Sequence, residues 1–211
     1  GLALGFVYNA GIAVRRFKIT ANADGGHSWV HFGRHSATHA ITKLGARIAQ
    51  IQPPDSPRTT FNIGMINGGH AINAIATDAE LWLDLRSESP AELAVLEHQV
   101  RRAVDELTEG DLRFAIEVVG DRPAGSVPRE HPLVKTALAT LDTLGVHSGL
   151  HSGSTDGNVP LAADCPTVTI GVTTGGHAHR LDEFIETAPV QTGVKQLVLL
   201  TMAAAEQVEA F

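Results

Sequence analysis

The sequence predicts an α+β domain over residues 11–122, a four-stranded antiparallel sheet with two helices on one face, set within flanking segments 1–10 and 123–211. Three observations predict it. Alternating apolar residues mark four strands, and two amphipathic stretches of helical period fall among them in the order β-α-β-β-α-β. From Arg122 to Pro132 the composition then shifts to Pro, Gly, Ser and charge, which reads as a linker. With right-handed crossovers this order places both helices on the same side of the sheet.

Residues 12–20 are the first strand, with Phe17 and Ile19 alternating against Arg16, Lys18 and Thr20, although Val14 falls on the polar side. After a Gly-rich loop, a helix is expected over 36–51 from the spacing of Ala37, Ile41, Leu44, Ile48 and Ile51, stopped by Pro53 and Pro54. Thr59 to Ile66 alternates with Phe61, Ile63 and Met65 on one face, Asn67-Gly68-Gly69 turns the chain, and Asp78 to Arg86 alternates through Ala79, Leu81, Leu83 and Leu85. Ser89-Pro90 opens a second helix carrying Leu93, Leu96, Val100, Val104 and Leu107, ended by Gly110, and Arg113 to Val119 supplies the fourth strand. Beyond the linker, Leu133, Val134, Ala137, Leu138, Leu141 and Leu144 mark a helix, 165–171 reads as a buried strand containing Cys165, and a final helix covers 190–208. One strand and three helices make a poor core by themselves, so this second unit needs a partner sheet.

Composition narrows the function classes. The 211 residues are 43% hydrophobic with a net charge of −7 and no Lys/Arg-rich block, which argues against nucleic-acid or anionic-membrane partners. The single cysteine allows no internal disulfide and fits a reducing, cytoplasmic setting. Gly1 to Val14 is apolar without a basic leader, and an opening on glycine rather than methionine reads as a piece of a longer polypeptide.

Two stretches carry candidate chemistry. Gly175-Gly176-His177-Ala178-His179-Arg180-Leu181-Asp182-Glu183 places two imidazoles and two carboxylates within seven positions, a composition suited to a divalent metal or to acid/base work. Histidines also simply decorate Gly-rich loops, and the residues alone leave both readings open. Gly153-Ser154-Thr155-Asp156-Gly157-Asn158, followed by a short helix VPLAA, offers free backbone N–H groups to an anion, or is an ordinary capped turn.

Taken together, GSTDGN, a strand and then GGHAHRLDE resemble the C-terminal motifs of the co-catalytic di-zinc hydrolases that include peptidase T, acetylornithine deacetylase, succinyl-diaminopimelate desuccinylase, carnosinase and glutamate carboxypeptidase. The resemblance implies that 11–122 is a lid or dimerisation domain inserted in the C-terminal part of an α/β zinc-peptidase-like catalytic domain, to which 1–10 and 123–211 belong. It implies a metal ligand at His179, four residues before Glu183, and assigns none to His177. Gly25-Gly26-His27-Ser28 resembles the lid histidine motif, which gives His27 the task of polarising the scissile carbonyl in the partner subunit's site. INAIA and DLRS resemble the substrate-binding segments and point to Asn73 and Arg86, with Ala76 where relatives usually carry proline. Gly153, Ser154, Thr155, Asp156 and Asn158 join them as substrate contacts.

The implied cofactor is zinc, two ions per site, with cobalt or manganese as alternatives. The remaining family ligands and the general base precede the insert in relatives and are not found here, so the chain alone is expected neither to hold the metal nor to be active. Substrates would be peptides or N-acyl amino acids, and the assembly a homodimer through the lid domain. The rival reading is a non-enzymatic dimerisation or interaction module.

His27, His31, His35 and His39 recur every four residues, but Gly33 breaks a continuous helix, and only His35 and His39 are expected to share one. No Gly-x-Ser-x-Gly elbow surrounds Ser152, Ser154 or Thr155, and no phosphate-binding loop is present.

Overall fold

The computed structural model describes residues 3–209. In chain order the elements are β1 (Phe6–Gly11), β2 (Ala13–Asn22), β3 (Gly26–His27), α1 (Ala37–Ile48), β4 (Thr59–Gly68), β5 (Ala74–Ile75), β6 (Asp78–Ser87), α2 (Pro90–Asp105) and β7 (Arg113–Arg122). There follow β8 (Gly125–Ser126), α3 (Pro132–Thr143), β9 (Gly149–Gly153), α4 (Asn158–Ala162), β10 (Thr169–Ile170), β11 (Gly175–Gly176), β12 (Phe184–Ile185) and α5 (Val190–Glu209). They form two compact units, Ala13–Arg122 and the remainder of the chain.

Residues 13–122 build the expected four-stranded antiparallel sheet, and the structure supplies its order, β4-β6-β2-β7. Phe17, Ile19, Ala21, Leu81, Leu83 and Leu85 are buried on one face, where α1 and α2 pack side by side with Ile41, Leu44, Ile48, Leu96 and Val100 inward. The other face carries charge: Lys18 with Glu80 at 2.9 Å, and Arg16 with Asp84 at 2.7 Å. Ser89 caps α2 by accepting from the Glu92 N–H, with Pro90 preset in the first turn.

Several boundaries differ from expectation. Helix α1 ends at Ile48 and the chain leaves it through a turn at Ala49 and Gln50, short of the expected stop at Pro53, so Ile51 lies outside the helix. The strand expected to keep Phe61, Ile63 and Met65 on one face has a register shift between Ile63 and Met65, so Met65 pairs with Trp82 and Ile66 pairs with Leu81. Asn67 and Gly68 remain in β4, and the chain turns from Gly69, where φ is +72°, into a longer excursion that carries β5. Because α1 begins at Ala37, His35 lies outside the helix that holds His39.

In the second unit β8, β9 and the β11–β12 hairpin are unforeseen, as is the strand at the centre of its sheet, β1. It pairs with β9 in parallel on one side, and with β10 and β8 antiparallel on the other, and its Val7 is buried with Ala137, Leu141 and Leu200. The stretch read as a linker is structured: Gly125 pairs with Gly11, and the Val127 N–H donates to the Asn9 carbonyl at 2.8 Å. The expected strand over 165–171 contracts to Thr169–Ile170, leaving Cys165 exposed ahead of it. Among the described residues no helix is long and apolar enough to cross a membrane.

Candidate functional site

The β2–β6 ladder continues past Asn22 and Asp78 through an Ala23 N–H to Thr77 carbonyl bond of 2.9 Å and then becomes the short β3–β5 pair. There His27 lies opposite Ala74, and the Ser28 N–H donates to the Asn73 carbonyl at 3.0 Å. His27 and Asn73, far apart in sequence, are thus neighbours on an exposed two-stranded projection. Gly25, at φ +74°, and Gly26, at φ +148°, permit this path; a Cβ on Gly25 would meet Thr77 Cγ2 at 2.6 Å.

His27 has a defined orientation. Its Nδ1 accepts from the backbone N–H groups of Trp29 at 3.2 Å and Val30 at 3.4 Å. In the neutral ring the proton therefore resides on Nε2, which is left as a donor. The His27 N–H in turn donates to His31 Nδ1 at 2.9 Å, so the second histidine of the four-residue repeat supports the loop.

Arg86 lies on the charged face, opposite the buried Leu85, and its Nε donates to Asp84 Oδ2 at 2.6 Å. Burial pushes the Asp84 carboxyl up, but hydrogen bonds from Arg86 and Arg16 outweigh this and hold it below the ordinary carboxylate value. Trp82 does not stack on Arg86; Lys18 Nζ lies 5.4 Å from its ring and its indole N–H donates to Glu80 at 3.0 Å. From Asp78 to Arg86 is eight steps of extended strand, about 26 Å at roughly 3.3 Å per residue. His27 lies beyond the Asp78 end, so the fold brings Asn73 to His27 and keeps Arg86 apart from both.

In the 153–158 turn, Gly153 packs so tightly on Tyr8 that a Cβ would fall 2.1 Å from the ring. Ser154 Oγ is buried without a hydrogen-bond partner among the described residues. Thr155 Oγ1 accepts from the Gly157 N–H at 3.1 Å and lies 3.1 Å from Thr169 Oγ1, while Asp156 is exposed. Asn158 is 0% exposed, and its side chain serves only the backbone: Nδ2 donates to the carbonyls of Ile12 at 2.9 Å and Pro123 at 2.8 Å, and Oδ1 accepts from the Thr155 N–H at 2.9 Å. Sequence reading placed Asn158 among the substrate contacts, but its amide has both donors engaged inside the fold.

Residues 14–111 match the peptidase dimerisation domain of M20 peptidases. The chain carries an M20 peptidase dimerisation domain. Acetylornithine deacetylase of Erwinia tasmaniensis is 31% identical over 153 residues, covering 67% of this chain and 37% of that protein. A probable carboxypeptidase of Aspergillus flavus is 29% identical over 126 residues, 54% of this chain and 29% of the relative. The chain thus spans well under half the length of these M20 relatives. In structure it is similar to aminopeptidase PepT of Bacillus cereus, with a TM-score of 0.74 at 20% identity over 97% of this chain and 55% of that one. A hydantoinase/carbamoylase-family amidase of Burkholderia vietnamiensis gives 0.76 at 18% identity, covering 93% and 49%.

The chain carries its GGHAHRLDE segment on the β11–β12 hairpin, whose tip holds His177 and His179 at φ +59° and +65°, a left-handed conformation uncommon outside glycine. The His179 N–H donates to Glu183 Oε2 at 3.2 Å, and His177 Nδ1 lies 2.9 Å from Asp182, which Arg180 grips with two hydrogen bonds. Among the described residues no group of three or more His, Cys, Asp and Glu side chains gathers as a metal site. His179 presents an exposed imidazole there.

Proposed function

We propose that this chain is the C-terminal part, dimerisation domain included, of a metal-dependent hydrolase that cleaves the peptide or amide bond of a peptide or N-acyl amino acid, and that it is inactive alone. The observation that carries the reading is His27: an exposed imidazole whose Nδ1 is satisfied by backbone N–H groups, leaving Nε2–H to donate to a developing oxyanion. Asn73 stands beside it as a second polar contact. Arg86 presents a planar fork to a substrate carboxylate, with Gly153, Ser154, Thr155 and Asp156 as further substrate contacts. Asn158 is left to the scaffold.

The strand length supports action across a dimer. The strand from Asp78 to Arg86 is roughly 26 Å long and His27 lies beyond its Asp78 end, a separation that two side chains cannot close around one small substrate, so a site using both draws them from two subunits. Zinc, two ions per site, or cobalt or manganese in its place, belongs to this reading through His179 as one ligand, with the others supplied by residues outside this sequence. The exposed apolar side chains of Val194, Leu197, Val198 and Met202 along α5 fit a helix that packs against more protein.

The test is His27→Ala in the complete enzyme, where kcat should fall by on the order of a hundredfold with little change in KM. Mixed dimers of that variant with His179→Ala should regain part of the activity. No rescue would put His27 in its own subunit's site.

A further inference from the structure

Asp111, in the turn between α2 and β7, reaches both ends of the segment that carries His27. Its Oδ2 accepts from the backbone N–H of Asp24 at 3.0 Å, and its Oδ1 lies 2.5 Å from Nδ1 of His35. On the far side of the same ring, His35 Nε2 lies 3.4 Å from Glu109 Oε1. The turn is shaped to the ring: Gly110 is at φ +56°, and a Cβ there would sit 2.9 Å from His35 Cε1. Between these anchors the segment is held by the β3–β5 pair and the Ser28 N–H to Asn73 carbonyl bond on one side, and otherwise by short-range bonds, His27 N–H to His31 Nδ1 and Arg34 to the Gly25 carbonyl at 3.2 Å.

We propose that Asp111 is a positioning residue that, with His35, clasps both ends of segment 24–35 and thereby fixes the place of His27. A donor aimed at a developing charge works only when held to within fractions of an ångström, so a carboxylate that never touches substrate can still govern the rate. This consequence rests on the role given to His27 above; the clasp itself does not.

The clasp depends on charge. Facing His35 are Asp111 and Glu109 from the turn, and Arg34, His39 and Lys43 line the same hollow, while Arg113 donates to the Gly110 carbonyl. The hydrogen bond to Asp111 raises the His35 pKa above its ordinary value against the opposing effect of burial, and the charges of Asp111 and Glu109 add to the rise. Asp111 is lowered to about 2, first by the Asp24 N–H and then by His35. A raised histidine stabilises fully below its unfolded pKa of about 6.5 and loses that contribution as pH climbs through the folded value; the lowered aspartate stabilises above its unfolded pKa of about 3.9 and loses its contribution as pH falls toward the folded one. The clasp is therefore tightest between those limits and loosens as His35 deprotonates.

Histidine-resolved NMR titration of this chain, with amide hydrogen exchange read in parallel, tests the clasp. His35 should titrate above the ordinary histidine value. Asp111→Asn should bring that midpoint down and speed exchange severalfold at amides of 24–35, while the amides of β2 and β6 stay protected. His35→Gln should loosen the segment and remove its pH dependence. If wild-type His35 titrates at or below the ordinary value, or if 24–35 exchanges at the wild-type rate in both variants, the clasp is refuted. Loss of protection in β2 and β6 would mark Asp111 as a residue of global stability and would refute the positioning role too. In the complete enzyme Asp111→Asn should lower kcat more than it raises KM. A loosened segment with unchanged turnover in both Asp111→Asn and His27→Ala would instead refute the role given to His27 and leave the clasp standing.

Discussion

Asn158 donates from Nδ2 to the carbonyl of Ile12 at 2.9 Å, and the same nitrogen donates to Pro123 at 2.8 Å. One side chain thus joins the two segments that flank residues 13–122. Gly11 belongs to this arrangement, since a Cβ on it would lie 2.8 Å from Asn158 Cγ.

Replacing Asn158 by alanine leaves two part-buried carbonyls and the part-buried Thr155 N–H without their partner. At about 1 kcal/mol for each lost hydrogen bond, with solvent able to reach some of the freed groups, the variant should lose roughly 1–3 kcal/mol of stability. Urea unfolding of this chain measures it. A midpoint within error of wild type would return Asn158 to the list of substrate contacts.

Arg86→Lys keeps the charge on the polar face but removes the planar fork. Carboxylate-bearing substrates of the complete enzyme should lose roughly 1.5–3 kcal/mol of binding, the range for hydrogen bonds to charged groups. Comparing kcat/KM for a substrate and its carboxyl-amidated analogue reads this directly. Equal losses for the two would assign Arg86 to Asp84 and the sheet instead.

The two sheet edges differ in protection. β7 bears Arg113, Glu117, Asp121 and Arg122, charges that discourage a second strand, whereas β4, TTFNIGMING, bears none and leaves Met65 and Ile66 51% and 54% exposed. We expect the homodimer to form along β4, and Ile66→Lys to shift sedimentation from dimer toward monomer. The same change placed on β7, Val119→Lys, should leave the dimer intact; a dimer lost only there would move the interface.

On the proposal that His179 supplies one ligand and residues outside this sequence the others, this chain should not bind zinc tightly, because closed zinc sites need four ligands. Equilibrium dialysis against zinc should find weak binding, unchanged by His179→Ala. Stoichiometric tight binding would point to a site built from the other histidines.

Much of residues 13–122 was legible in the sequence because its information is local. The period-2 alternation of 78–86 and the helical stripe of 90–105 each declare which face is buried, and loop lengths then restrict the topology. The choice of His27 and Asn73 came from motif resemblance, and the fold supplies the β3–β5 pairing that makes them neighbours.

What only the tertiary structure decided are the contacts whose partners lie far along the chain. FVYNAG at 6–11 has no clean alternation, because β1 is flanked by strands on both sides and buries Val7 and Gly11 rather than every second residue. Asn158, in a polar turn, reads as a ligand contact until Ile12 and Pro123 are brought to it. His35 and Asp111 stand 76 positions apart, with no motif to join them. Propensity and period are properties of a short window, whereas a buried polar side chain takes its role from whichever unsatisfied backbone group the completed fold presents to it.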